Sequence, residues 1–351
     1  MQTESFLRVN VVSGLPGAGK SSVARRLGSL PIAMGCSIHD ALRTVVLPAA
    51  EVTTPATAIE VFVEAPAFVG PLEIASTLME VPDSPGQLAD GHSVRLGDLV
   101  TVIDASRFWD DLRSEAPAPI DEGAAPDDEV GNTVGDALVE QIEWASAVVI
   151  NKTDLVRPIV CEDIRDFVRL LNPSSHVVFA EHGRGSAASW PAPRADMFAW
   201  LQRSPGWVGQ LNGEALLTRS PLGLSCVVYR EVRPFHPLRL AEFLRDRAAE
   251  AGEILRSRGL FTLASRPGRV GSWSSAGPTI TFEPTGMCTG DPESVLGQEI
   301  AFFGRDLDAH RLTENLNGCL LTTDEFLAGP LQWQVLADPF PRWRLGDSDE
   351  D

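Results

Sequence analysis

From residue 6 to residue 181 the chain alternates short apolar runs with amphipathic stretches of helix length. The runs fall at about 6–13, 59–66, 99–105, 146–152 and 176–181, and most of them are nearly continuous in Val, Ile, Leu, Ala and Phe. A strand with one wet face alternates apolar and polar positions, whereas a strand covered on both faces does not. With helix-like segments such as GDALVEQIEWA between the runs, the pattern predicts an α/β domain, a mostly parallel sheet with helices on both faces.

The pattern breaks twice. Residues 114–136 are rich in Ala, Pro and acidic side chains, with little to bury, and this predicts a surface loop. Residues 203–222 gather Pro, Gly and polar residues, which places a domain boundary there: a first domain over 1–205, a linker over 206–222 and a second domain over 223–345. The chain then resumes with the apolar run LSCVVYREV, a helix after Pro237, the stretches GLFTLAS and EIAFFG, and a last helix near 309–318. That succession predicts a smaller α+β unit. Trp333 and Trp343 are expected to anchor the final segment onto it, with residues 346–351 as an acidic tail.

Composition narrows the function classes. The 351 residues are 44% hydrophobic and 22% charged, enough for two cores. A formal charge of −19 at pH 7 repels phosphate backbones, so no direct grip on nucleic acid is expected. Five cysteines without paired spacing, a start without a signal-peptide pattern and no apolar run of spanning length predict a soluble cytoplasmic protein with no membrane contact. Of the 29 basic residues only Lys20 and Lys152 are lysines. Lysine differs from arginine in being a compact point charge on a slim aliphatic stem, and both lysines sit in chemically legible motifs.

The first motif follows the first apolar run. Gly14, Leu15, Pro16, Gly17, Ala18, Gly19, Lys20 and Ser21 satisfy G-x-x-x-x-G-K-[ST] between a strand and a helix, with Ser22 next in the helix. Small residues let successive backbone N–H groups face phosphate oxygens, and the helix start adds positive potential. Lys20 reaches the β and γ oxygens, and Ser21 offers an oxygen to Mg²⁺. The second motif is Asn151-Lys152-Thr153-Asp154, directly after the run SAVVI. An Asp carboxylate there can accept from guanine N1–H and its exocyclic amine, the Lys152 stem can lie across the base, and Asn151 can brace the loop. Adenine lacks that donor pair, which weighs against a small-molecule kinase using ATP.

With these motifs and the stretches TVIDASRF, RPFHPLRL, EILRSRGLFTLASRP, SWSSAG, LNGCLLTTDEF and GPLQW to DPFPRW, the chain resembles the CobW-like GTPases of the SIMIBI class along nearly its whole length. The resemblance implies a P-loop GTP-binding domain followed by a smaller α+β CobW C-terminal-like domain. It also implies GTP and Mg²⁺ as cofactors, slow or partner-stimulated hydrolysis, and a role in metal homeostasis. Protein partners would engage the C-terminal domain, either a metalloprotein client or a ribosome-associated factor. In its RPFHPLRL to DPF stretch the chain most resembles the branch that recruits ribosome hibernation factors when zinc is scarce.

Family members bind zinc through Cys-x-Cys-Cys within GCICC, where this chain has GCSIHDAL at 35–42. Cys36 and His39 are then two candidate transition-metal ligands, short of the three or four a tight site needs. Relatives read like ETTGLADP where this chain has VEAPAFVGP. Glu64 is kept as the candidate for organising Mg²⁺ or an attacking water, with Lys20 and Ser21 as the other catalytic candidates. The glycine that approaches the γ-phosphate is replaced by Ala67. Only 13 residues separate Ser22 from Cys36, so part of the switch segment is expected to be missing. Asp104 matches the family's VDA and either serves the site or caps the following segment. Alternatives to a working GTPase are a non-hydrolysing, nucleotide-dependent adaptor and a zinc metallochaperone.

Overall fold

A computed structural model describes residues 6–27, 30–31, 59–80, 93–118, 132–185, 197–201, 205–214, 216–291 and 297–343. The expectations for Cys36, His39, residues 119–131 and the tail at 346–351 lie outside the described residues. The chain divides into two compact units, Met1–Pro205 and Gly206–Asp351.

In the first unit the elements run β1 (Phe6–Ser13), α1 (Lys20–Leu27), β2 (Leu30–Pro31), β3 (Ile59–Glu64), α2 (Pro71–Glu80), β4 (Ser93–Asp104), α3 (Phe108–Leu112), α4 (Val134–Glu143), β5 (Ala147–Asn151), α5 (Pro158–Leu171), β6 (His176–Glu181), β7 (Arg184–Gly185) and α6 (Met197–Leu201). The sheet order is β2-β3-β1-β4-β5-β6-β7. Every pair is parallel except β6 with β7. The near-continuous apolar runs become strands buried on both faces. Val9 and Val11 of β1 pack with Ile74 and Ala75 of α2 and Trp200 of α6, while Val12 packs with Val23 and Ala24 of α1. Successive side chains point to opposite faces, so one apolar strand feeds two cores, and each fully buried valine is worth roughly 1.5–3 kcal/mol.

One local difference from the sequence expectation has a physical cause. The expected loop over 114–136 ends earlier, because Thr133 caps α4: its side chain accepts from Asp136 N–H and the Asp136 carboxylate accepts from Thr133 N–H. Between Ser22 and Cys36 a short strand, β2, is present and pairs Leu30 with Val63 and Pro31 with Glu64.

The second unit runs α7 (Gly206–Leu211), β8 (Leu224–Glu231), α8 (Pro237–Glu242), β9 (Glu253–Phe261), β10 (Arg269–Ala276), β11 (Thr279–Cys288), β12 (Gln298–Arg305), α9 (Ala309–Asn317), α10 (Thr323–Ala328) and α11 (Pro330–Trp333). Its antiparallel sheet has the order β11-β10-β9-β12-β8. Leu240 of α8 and Leu312 and Leu316 of α9 pack with Phe261, Trp273, Ile300 and Phe302 of the strands. Residues 206–211, placed in a linker by composition, form α7 within this unit, and the Arg258 guanidinium of β9 lies 5.8 Å from the Trp207 ring. Trp343 packs edge-on against Phe261 and lies under the Arg266 guanidinium at 4.5 Å. Trp333 instead stacks on Phe326 of the neighbouring helix and donates to Glu325 O at 2.7 Å.

Candidate functional site

Four adjacent strands, β3, β1, β4 and β5, finish at one edge of the first sheet with Glu64, Ser13, Asp104 and Asn151 as their last residues. Open parallel sheets place their binding crevices at that edge, where strand order reverses. Here β1 lies between β3 and β4, so the loop leaving it opens into the crevice.

That loop is residues 14–19. Gly14 holds φ 149° and Gly19 φ 98°, values a side chain tolerates poorly. A Cβ on Gly14 would collide with the Val102 carbonyl, and one on Gly19 with the Asn151 amide. Leu15 and Ala18 turn into the core while Pro16 and Gly17 form the exposed tip, so the loop offers backbone. Helix α1 begins at Lys20, and a helix leaves its first N–H groups without intrahelical partners. The Lys20 ammonium curls back to donate to Gly14 O at 2.8 Å. Burial pushes its pKa down, with Glu64 pulling the other way, so the cation is short of solvation and gains from an incoming anion. Ser21 Oγ donates to Glu64 Oε1 at 2.7 Å, which brings two of the expected site residues together from elements 43 positions apart. Ser22 follows in α1 against Gly183, where a Cβ would crowd the Ser22 side chain.

Asn151 braces more than its own loop. Its Nδ2 donates to Ala18 O at 2.9 Å, and its Oδ1 accepts from Gly183 N–H at 2.9 Å. Lys152 adopts the left-handed conformation, φ 61°, and its ammonium meets Asp104 Oδ2 at 2.6 Å. Thr153 Oγ1 donates to Ala180 O at 3.1 Å. Asp154 projects outward, with His182 Nε2 3.6 Å from its Oδ2. Asp104 thus both braces the following turn and pairs: its Oδ1 accepts from Ser106 N–H and Oγ, and its Oδ2 takes Lys152. Burial raises its pKa, but the hydrogen bonds from Lys152 and Ser106 outweigh burial and hold the carboxyl below the ordinary range.

The residues present fit a nucleotide triphosphate with a hard cation. The loop's Leu15 and Ala18 side chains are buried away from its exposed tip, Lys20 supplies the point charge, and the Ser21 and Glu64 oxygens are of the hard-donor type Mg²⁺ takes. Among the described residues no group of three or more His, Cys, Asp or Glu side chains is placed to hold a metal ion. The turn at His182 and Gly183 was not singled out from sequence as part of this site. Its signal is a His-Gly pair directly after an apolar strand, with positive φ at both residues.

Residues 28–179 match the family described as CobW/HypB/UreG, nucleotide-binding domain, and residues 224–320 match the cobalamin synthesis protein cobW C-terminal domain. The chain belongs to the CobW-like family. The parallel-sheet unit carries the match to the nucleotide-binding domain, and the antiparallel unit the match to the CobW C-terminal domain. This CobW-like chain is 27% identical over 301 residues to the zinc-regulated GTPase metalloprotein activator 1 of Dictyostelium discoideum. The match covers 79% of the chain and only 62% of that relative. Among solved structures it is similar to the zinc-bound YjiA GTPase of E. coli and to a zinc-bound triple mutant of YjiA. Both are 14% identical, over 90% of this chain and 100% of theirs, with TM-scores of 0.35 and 0.39.

Proposed function

We propose that this protein binds GTP with Mg²⁺ and hydrolyses it slowly, or faster when a partner engages it, in the service of zinc or other metal homeostasis. The observation that carries this is the meeting of both lysine motifs at one sheet edge, tied by the Asn151 hydrogen bond to Ala18 of the phosphate loop. In this reading the amides of residues 14–21 and Lys20 hold the phosphates. Ser21 and Glu64 hold Mg²⁺, with Glu64 also placed to orient a water, and Asp154 selects guanine. Mg²⁺ supplies charge neutralisation at the phosphate oxygens. No helix among the described residues is long and apolar enough to cross a membrane, and we place the protein in the cytoplasm.

The relative named a metalloprotein activator supports a metalloprotein client, and we assign its contact to the C-terminal unit. Leu327, Leu331 and Val335 there are 77–80% exposed on and just after two short helices. A ribosome-associated factor is the competing client. The turn after Glu64 favours a second reading, the adaptor that binds GTP without useful turnover. It carries Ala67 where relatives keep glycine and sets the bulky Phe68 at φ 70°, so the backbone approach to a γ-phosphate is altered.

The test is affinity for GTP, GDP and ATP with and without Mg²⁺, with phosphate release followed in the same samples and Lys20→Ala and Asp154→Ala as controls. Guanine-selective, Mg²⁺-dependent binding with slow release supports the GTPase. Binding without release, with or without a metalloprotein client, favours the adaptor. Equal affinity for ATP overturns the guanine assignment.

A further inference from the structure

The ion pair between Asp104 and Lys152 joins two residues 48 positions apart. Strand register brings them together: Asp104 lies opposite Asn151 in the β4–β5 pairing, one residue before Lys152. The carboxylate cannot swing away, because Ser106 holds Oδ1 through its N–H at 2.9 Å and its hydroxyl at 2.6 Å, leaving Oδ2 aimed at the ammonium. The Asp104 side chain is 6% exposed and that of Lys152 31%, so water competes weakly for the carboxylate and the lysine stem stays on the open side. The Lys152 backbone is left-handed, a conformation that needs outside support in a non-glycine residue. Support comes from Asn151 on Ala18 and Gly183, and from Thr153 on Ala180.

A free lysine side chain populates many rotamers, and stopping it on binding is costly. Here the stop is made before any nucleotide arrives. We infer that Asp104 is a positioning residue for base recognition: by pinning the Lys152 ammonium it presents the aliphatic stem as a preformed wall for the guanine ring. The inference rests on the proposed GTP site and adds to it a residue that touches neither base nor phosphate. Preorganised groups raise affinity by removing ordering costs, and the benefit falls on the base, not on the phosphates.

The experiment titrates the full chain with GTP and, separately, with inorganic tripolyphosphate, using wild type, Asp104→Asn, Lys152→Met and the double variant, each checked by thermal melt. The expected result is a loss of about tenfold in GTP affinity for Asp104→Asn, with tripolyphosphate affinity unchanged. The double variant should bind GTP no more weakly than Lys152→Met alone, since residues acting through one contact are not additive. Ser106→Ala frees Oδ1 but keeps the charge, so it gives a smaller loss in the same direction and serves if Asp104→Asn does not fold. Unchanged GTP affinity in a folded Asp104→Asn overturns the inference, as does equal loss of GTP and tripolyphosphate, or losses that multiply in the double variant. A wild-type chain that binds no GTP overturns the underlying reading as well.

Discussion

At the scale of single residues, the guanine assignment rests on what Asp154 can accept. A carboxylate takes two N–H donors from guanine, while xanthine replaces the exocyclic amine with a carbonyl. In Asp154→Asn the side-chain amide donates instead, so GTP affinity should fall about tenfold or more while affinity for xanthosine triphosphate rises. Competition between the two nucleotides measures it, and a fall in both marks Asp154 as structural only. Gly19 makes a different demand. Its φ of 98° and the Asn151 amide beside it leave no place for a methyl group. Gly19→Ala should cost about 1–3 kcal/mol of stability and break the Asn151 hydrogen bond to Ala18. Nucleotide titration together with a denaturant melt reads both effects. The lysines were legible in the sequence because they are rare. The Asp104 partner of Lys152 was not, since a contact 48 positions apart is made by strand register, which one sequence does not print.

At the scale of elements, legibility followed hydrophobicity. The strands of the first unit are buried on both faces, and their continuous apolar runs announced them. β10 and β11 passed unnoticed because their sequences, RVGSWSSA and TITFEPTGMC, are thick with Ser, Thr and Gly. Their pairing is held by the backbone ladder and by Thr285 Oγ1 donating to Val270 O at 2.8 Å, with one apolar contact, Trp273 on Phe282 at 4.9 Å, on the core side. Polar ties also set the helices of the second unit. Arg239 of α8 makes two hydrogen bonds to Glu325 of α10, at 3.0 and 2.6 Å, while Glu325 closes the capping box with Thr322. The Arg239 hydrogen bonds, against a smaller burial effect, hold the Glu325 carboxyl at about 2, down from 4.5. A carboxyl lowered by folding stabilises fully above its unfolded value and loses that contribution as pH falls through its folded value. The window here is therefore pH 4.5 down to about 2. Because the side chain is 35% exposed, screening limits the contribution to about 1 kcal/mol. Wild type should be more stable than Glu325→Gln by that amount at pH 7, and the gap should close by pH 2. Parallel urea melts at the two pH values measure it, and a gap independent of pH assigns the effect to lost packing.

At the scale of the whole molecule, two units with separate cores imply two folding equilibria, and the proposed nucleotide site belongs wholly to one of them. Every residue assigned to phosphate, Mg²⁺ or guanine lies between Gly14 and Asp154, inside Met1–Pro205. The large aromatic residues Trp273, Phe235, Phe261, Phe302 and Phe303 fill the buried interior of the other unit. A ligand stabilises only what it binds, by RT ln(1 + [L]/Kd), which is about 2.7 kcal/mol at a hundredfold excess over Kd. For a unit of roughly 200 residues each kcal/mol moves the midpoint by about 2–4 °C. Calorimetry of the full chain should therefore resolve two transitions, with GTP and Mg²⁺ raising one by about 5–10 °C and leaving the other in place. Asp154→Ala should abolish the GTP-induced shift without removing either transition. If both transitions move together with GTP, the units unfold as one, and the C-terminal unit then senses the nucleotide through its coupling to the first.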